Sequence, residues 1–342
     1  MVIDFAERRW LPDSLIRFGI RRLLTQRLKD EAAGNPARAE ARKLALMTKL
    51  ANGGVAQDQQ AANDQHYEVP AAFFLRALGP HLKYSSCLWD AGTDTLAEAE
   101  EAMLALSCAR AELADGQKVL ELGCGWGSLS LWMAQQYPGS RITSVSNSAS
   151  QRAFIEARAR ERGLSNLEVV TADAAAYRPQ GQFDRVVSVE MFEHMRNHRE
   201  LMHRIHGWLV PGGKLFVHIF CHAHVFYPFE PEGDADWMAR NFFTGGVMPS
   251  YDLLERCQNR LVLNEKWKVN GNHYARTLEA WLKQADAQEA ELLPILAETY
   301  GPEDARRWLQ RWRMFFMACA ELFAYRHGEE WFVGHYRFER PA

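Results

Sequence analysis

Glu190, Glu193 and His194 fall within five residues and bring two carboxyls and an imidazole to one short stretch. A carboxylate can orient an amine or accept its proton, and an imidazole titrates near neutral pH. On a short helix, Glu190 and His194 stand four residues apart and share a face, with Glu193 three beyond Glu190. The same E-x-x-E-H spacing suits a capped loop or a surface ion pair, because it fixes no distance to a substrate. His218, at a predicted strand end, and Tyr274, in H-Y-A-R, add an imidazole and a phenol. Each reads as a site contact or as a satisfied, packed side chain.

A second kind of chemistry is written at G-C-G-W-G, residues 123–127. Gly123, Gly125 and Gly127 permit a tight loop and let a ligand approach the backbone, and a following helix offers unpaired amide hydrogens. The run lacks the G-x-G-x-x-G spacing of a dinucleotide fingerprint and the lysine-serine/threonine end of a phosphate loop. Glu121 before the turn, Asp173 in T-A-D and the later Phe183-Asp184 complete a polar edge that needs no pyrophosphate. Asp173 also suits an Asx-type cap that only shapes its loop.

The elements that must position these residues alternate. Lys118–Leu122 reads as a buried strand and Ser128–Gln136 as a helix, with the glycine loop between them. Further strands fit Arg141–Val145, Asn166–Val170, Arg185–Val189 and Lys214–His218. Helices fit Gln151–Arg162, beginning near Ser148 or Ser150, and His198–Leu209, closed by a Pro211-Gly212-Gly213 turn. This alternation predicts an open α/β sheet. Upstream, helices are expected over Leu11–Lys29, Pro36–Leu50 and Thr95–Cys108. The first interleaves apolar residues with arginines, which suits helix packing or contact with a membrane surface. Downstream, Ser250–Cys257, Arg276–Ala287 and Pro302–Glu321 read as helices, and Leu261–Val269 and Trp331–Phe338 as strands. The aromatic runs Phe226–Glu230 and Trp237–Gly246 form either a lid or an accessory core, with Tyr227 a possible lining residue.

The chain of 342 residues is 47% hydrophobic, enough for one large core with an accessory region. Its formal net charge of -3 provides no global positive field, so nucleic acid is not expected as a partner. No apolar stretch near the N-terminus is long enough to cross a bilayer and none resembles a secretory signal, so a cytoplasmic location is the expectation. Cys87, Cys108, Cys124, Cys221, Cys257 and Cys319 are scattered without a C-x-x-C pair, which suits a reduced compartment. No metal site is expected: Cys221, His222 and His224 lack a distributed zinc pattern.

Five ordered motifs carry a resemblance: K-Y-S-S-C-L-W, V-L-E-L-G-C-G-W-G-S, S-V-E-M-F-E-H-M, P-G-G-K-L-F-V-H and H-Y-A-R-T-L-E-A-W. Together, over Tyr84 to Phe338, they resemble the cyclopropane-fatty-acid synthase and coclaurine N-methyltransferase branch of the class I S-adenosylmethionine-dependent methyltransferases. The resemblance implies a Rossmann-like open twisted sheet with N-terminal helices over residues 1–80. It also implies a catalytic domain over 81–342, with a substrate-covering segment around 219–280. It implies S-adenosylmethionine as cofactor, surrounded by Gly123, Gly125 and Gly127, held by Gln151, and approached by Asp173, Tyr84, Ser85 and Glu121. It places Glu190, Glu193 and His194 at the acceptor.

Synthase-like members imply that Glu193, His218 and Tyr274 hold bicarbonate, but Ser86 stands here where they have cysteine. V-H-I-F-C-H-A-H and F-F-T-G-G-V-M-P-S resemble the coclaurine N-methyltransferase pattern more closely. The expected reaction is therefore N-methylation of a small amine, with Glu190, Glu193 or His194 as base. Alternatives are cyclopropanation or methylation of a fatty-acyl phospholipid, with bicarbonate as a further ligand in that case alone, and a noncatalytic cofactor-binding protein. The oligomeric state is not expressed in the sequence.

Overall fold

Lys118–Leu122 forms β1, and its buried Val119, Leu120 and Leu122 put it at the centre of the sheet. The computed structural model of the chain describes residues 2–56, 69–230 and 236–342. Residues 57–68 of the expected N-terminal region and 231–235 of the expected covering segment lie outside the described residues. The other strands are β2 (Arg141–Ser146), β3 (Leu167–Thr171), β4 (Phe183–Val189), β5 (Leu209–His222), β6 (Tyr227–Pro228), β7 (Val247–Met248), β8 (Val262–Val269) and β9 (Trp331–Glu339).

Seven strands make one sheet in the order β3-β2-β1-β4-β5-β9-β8. β1 to β5 run parallel, and β9 enters antiparallel between β5 and β8. This is the Rossmann-like class I methyltransferase fold. The order reverses at β1, so the carboxyl ends of β1 and β4 open a crevice where a ligand can bind.

The helix Ser128–Gln136 starts directly after the glycine loop, with Gly127 at its N-cap in the left-handed region (φ 81°). A Cβ at Gly127 would lie 2.6 Å from Ile155 of the neighbouring helix Ala149–Glu161. That glycine is thus required by close helix packing. β5 is longer than expected: Pro211-Gly212-Gly213 continues the strand, and the register of β4 against β5 shifts between Phe183 and Arg185. The helix after β8 starts at Gly271, five residues earlier than expected, and runs to Ala287.

Over the crevice lies a helical layer. Trp281 of Gly271–Ala287 and Trp312 of the helix Ala305–Ala324 are fully buried, in one apolar cluster with Phe73, Phe74, Ile16 and Leu28. The N-terminal helix Asp13–Asp30 is tied to this layer by Arg17, which bonds Glu279 at 2.6 Å and Glu321 at 3.1 Å. Leu15, Phe18 and Leu23 remain on its exposed side. No helix among the described residues is long and apolar enough to cross a membrane.

Candidate active site

One large cavity lies between the carboxyl edge of the sheet and the helical layer. At its sheet end stand Gly123, Gly125, Trp126, Asn147, Gln151 and Asp173. Gly123 and Gly125 have φ of 77° and 51°, and a Cβ on Gly125 would meet no atom within 4 Å, so open space faces the backbone there. Gly127 packs on Ile155 and is not among the residues lining the cavity. Glu121 reaches the wall, but its Oε2 accepts from Ser144 Oγ at 2.8 Å and from Ser130, and burial pushes it up to about 7. Asp173 lines the cavity and also accepts from the Ala175 amide at 2.7 Å, as an Asx-type cap does.

At the other end, Glu190 is the focus of a cradle assembled from distant segments. Its backbone sits at φ 47°, uncommon for a side chain with a Cβ, immediately before a single turn of 3₁₀ helix at Phe192–His194. Oε1 accepts from the Ser86 amide at 3.0 Å and faces His218 Nε2 at 3.0 Å, and Oε2 accepts from Tyr274 Oη at 2.6 Å. A carboxylate offers about four lone-pair directions. Three are taken, and Glu190 also lines the cavity. Burial raises Glu190 to about 6, opposed by Lys83, the Tyr274 hydroxyl and the Ser86 amide.

Glu190 and His194 do not share a face of one helix as expected, since the positive φ at Glu190 breaks the chain direction before the 3₁₀ turn. Glu190 and His194 reach the cavity wall; Glu193 does not. Glu193 is fully buried, with Oε1 accepting from the Phe220 amide at 2.8 Å and Oε2 unpartnered among the described residues. Burial, and then the neighbouring Glu190, push its carboxyl well above the usual range. With three donors on Glu190 and one on Glu193, the charge belongs on Glu190 and the proton on Glu193.

Residues 56–330 match the mycolic acid cyclopropane synthetase family. The chain belongs to that family of S-adenosylmethionine-dependent methyltransferases. It is 37% identical to (S)-coclaurine N-methyltransferase of Thalictrum flavum subsp. glaucum over 96% of this chain and 92% of the relative. It is 30% identical to cyclopropane-fatty-acyl-phospholipid synthase of Escherichia coli (strain K12) over 79% of this chain and 66% of the relative. The crystal structure of Coclaurine N-Methyltransferase bound to N-methylheliamine and SAH superimposes with a TM-score of 0.95 at 35% identity, covering 99% of both chains.

The methyltransferase fits its cofactor on its own structural terms. The glycine wall leaves room against the backbone, and Ser128 Oγ, at the start of the adjoining helix, is buried without a partner among the described residues. Gln151 is buried at the wall, with its Oε1 accepting from Ser146 Oγ at 2.7 Å. Asn147 and Trp126 also line this end and were not singled out from sequence; Asn147 directly follows β2, where the carboxyl-edge rule points.

Tyr84, Tyr274, Phe220, Phe229, Phe243 and Trp281 give the cavity an aromatic wall. The two aromatic runs therefore divide. Phe229 and Phe243 face the cavity, whereas Phe226 packs with Leu50, Val247 and Leu253, and Tyr227 is buried against Trp331, off the wall.

The segment carrying Ser86 is pinned at both ends. Glu100 accepts from the amides of His81 at 2.8 Å and Lys83 at 3.2 Å. Buried Thr277 Oγ1 accepts from the Cys87 amide at 3.1 Å and Trp89 Nε1 at 3.0 Å, and donates to the His273 carbonyl at 2.8 Å. Between them, Lys83 Nζ donates to Ser85 Oγ at 2.6 Å and to the Ser86 carbonyl at 2.7 Å. Thr277→Val keeps the shape and strands two buried donors, each costing about 1–3 kcal/mol. A loss of about 2–6 kcal/mol in denaturant unfolding is expected; an unchanged midpoint would show that the segment is held elsewhere.

Proposed function

We propose that this methyltransferase N-methylates a small aromatic amine, with Glu190 orienting the acceptor nitrogen and taking its proton. The observation that carries the reading is the carboxylate of Glu190, which lines the same cavity as the aromatic side chains and is held there by the Ser86 amide, His218 and the Tyr274 hydroxyl. S-adenosylmethionine, when bound, supplies an electrophilic methyl group. An ammonium ion has no lone pair to offer, so a nearby carboxylate that accepts its proton releases the nucleophile. The aromatic wall offers π faces to a cation and flat surfaces to a ring. His194, on the same wall beside Phe243, brings an imidazole to the cavity.

The same donors bear on the lipid alternative. His218 and Tyr274, two of the three residues to which the synthase resemblance assigns bicarbonate, and Ser86, at its cysteine position, here surround the chain's own Glu190 carboxylate, whereas the third, Glu193, is off the cavity wall. That supports an amine and argues against an added anion.

The test offers methyl-labelled S-adenosylmethionine with (S)-coclaurine, with tetrahydroisoquinoline, or with vesicles of unsaturated phospholipid, each with and without bicarbonate. Label in the N-methyl amine at a bicarbonate-independent rate is expected. Label in phospholipid alone, or a rate that needs bicarbonate, overturns the proposal.

The pH dependence follows from Glu190. The ionised form is active, so kcat/KM is expected to fall as pH drops through about 6. Stability moves the other way. The folded value lies above the ordinary 4.5, so the native state holds the extra proton between the two values. Stability from this group therefore decreases as pH rises across that window. A rate profile flat down to pH 5 would remove Glu190 from the proton step.

A further inference from the structure

His218 is one member of a row that crosses three strands. In the antiparallel pairing of β5 with β9, His218 stands opposite His335, and in that of β8 with β9, Trp267 stands opposite His335. Directly opposed residues project from the same face of a sheet, so the three side chains lie side by side. Arg110, the last residue of the helix Leu96–Arg110, covers the far end of this row, with its guanidinium 4.8 Å from the Trp267 ring centre.

The distances make one continuous chain. Arg110 Nη1 is 2.7 Å from His335 Nδ1, His335 Nε2 is 2.9 Å from His218 Nδ1, and His218 Nε2 is 3.0 Å from Glu190 Oε1. Both imidazoles are fully buried.

The direction of every bond follows from the first. A guanidinium only donates, so His335 Nδ1 must accept, and its neutral ring carries hydrogen on Nε2. That hydrogen goes to His218 Nδ1, which leaves His218 with hydrogen on Nε2, donated to Glu190. A second proton on either ring would set N–H against N–H. Burial and the nearby cations Arg110 and Lys83 push both imidazoles well below their usual range, which agrees with neutral rings.

Without Arg110 the chain has a second arrangement. His335 could then carry its hydrogen on Nδ1, His218 would follow, and His218 Nε2 would accept from a protonated Glu190. We propose that Arg110 and His335 are positioning residues for methyl transfer: through His218 they keep an N–H aimed at Glu190 and hold that carboxylate ionised for the acceptor. The chain is not a proton exit, because arginine cannot accept. The proton Glu190 takes from an amine leaves through the cavity.

This inference rests on the reading of Glu190 as the proton acceptor. The other groups around Glu190 are Lys83 and Cys87 from the segment before Leu88, Glu193 from the following turn, Tyr274 from Gly271–Ala287 and Cys319 from Ala305–Ala324, with His194 on the shared wall. Arg110 itself is near Asp90, Tyr251 and Glu265.

Nitrogen-15 spectra of histidine-labelled full-length protein read the tautomers without any acceptor, with His335→Gln and His218→Gln assigning the two rings. Both rings are expected as the Nε2–H tautomer, with His335 turning toward Nδ1–H in Arg110→Met. With tetrahydroisoquinoline as acceptor, Arg110→Met is expected to move the acid limb of kcat/KM up by about one unit, roughly a tenfold loss below the limb. Arg110→Lys, which keeps a charged donor, is expected to recover part of it, and S-adenosylmethionine affinity to stay unchanged in all.

An Nδ1–H tautomer at His335 in the unaltered protein overturns the inference. So does an unmoved acid limb in folded Arg110→Met, or in His335→Gln should the arginine variant fail to fold. If instead Glu190→Gln keeps full activity, the proton-acceptor reading fails while the tautomers still report on the chain of bonds.

Discussion

Glu190→Gln is expected to lower kcat by on the order of 10²–10⁴-fold at neutral pH, the usual contribution of a positioned acid–base group. The substitution keeps the side-chain length and leaves the backbone at φ 47° undisturbed, so the 3₁₀ turn behind it stays in place. What changes is the charge. A neutral carboxamide has one accepting atom in place of two, while the Ser86 amide, His218 Nε2 and the Tyr274 hydroxyl all point toward this position. It cannot take a proton from an ammonium at any pH in the working range. Affinity for S-adenosylmethionine is expected to change little, because the glycine loop, Gln151 and Asp173 form the other end of the cavity. Calorimetric cofactor binding beside kcat with tetrahydroisoquinoline separates the two. A variant that binds cofactor normally and turns over within threefold of the unaltered protein would leave Glu190 as scaffolding and return the proton step to His194.

Why the charge at Glu190 could not be placed from sequence is a matter of backbone and topology. The stretch E-M-F-E-H has helical spacing, and nothing in its residue types reveals a left-handed Glu190, a conformation disfavoured by any Cβ. Its partners come from residues 86, 218 and 274. The family motifs marked those positions separately but did not show that one carboxylate would occupy all three donors. His335 and Arg110 were invisible for the same reason: their relation to His218 exists only once β9 is inserted between β5 and β8. Local patterns fared better. β1 with its following helix lies where the strand, glycine loop and helix composition put it, because each signal spans only a few residues. One local signal misled. Pro211-Gly212-Gly213 reads as a turn yet continues β5, with Gly212 at φ 76° absorbing the irregularity.

Gly271→Ala is expected to cost about 3 kcal/mol or more, at or beyond the upper end of ordinary overpacking. A Cβ there would lie 2.2 Å from the Trp331 carbonyl oxygen and 2.3 Å from that of Phe323, with Gly328 Cα at 3.1 Å. All three are backbone atoms, so no side-chain rotation relieves the clash. Either the start of Gly271–Ala287 lifts away or β9 and the end of Ala305–Ala324 move, and each carries buried tryptophan or phenylalanine. A fall in Tm of roughly 6–12 °C is expected, taking about 2–4 °C for each kcal/mol in a chain of this order of size. The damage also reaches the chemistry. Tyr274 and Thr277 follow within two turns, one donating to Glu190 and the other pinning the segment that carries Ser86. Moving the helix start thus loosens two sides of the cradle at once. Activity well below the melting temperature is expected to fall with Tm, and a lowered Tm with full kcat would show that the cradle keeps its geometry when the first turn of this helix yields.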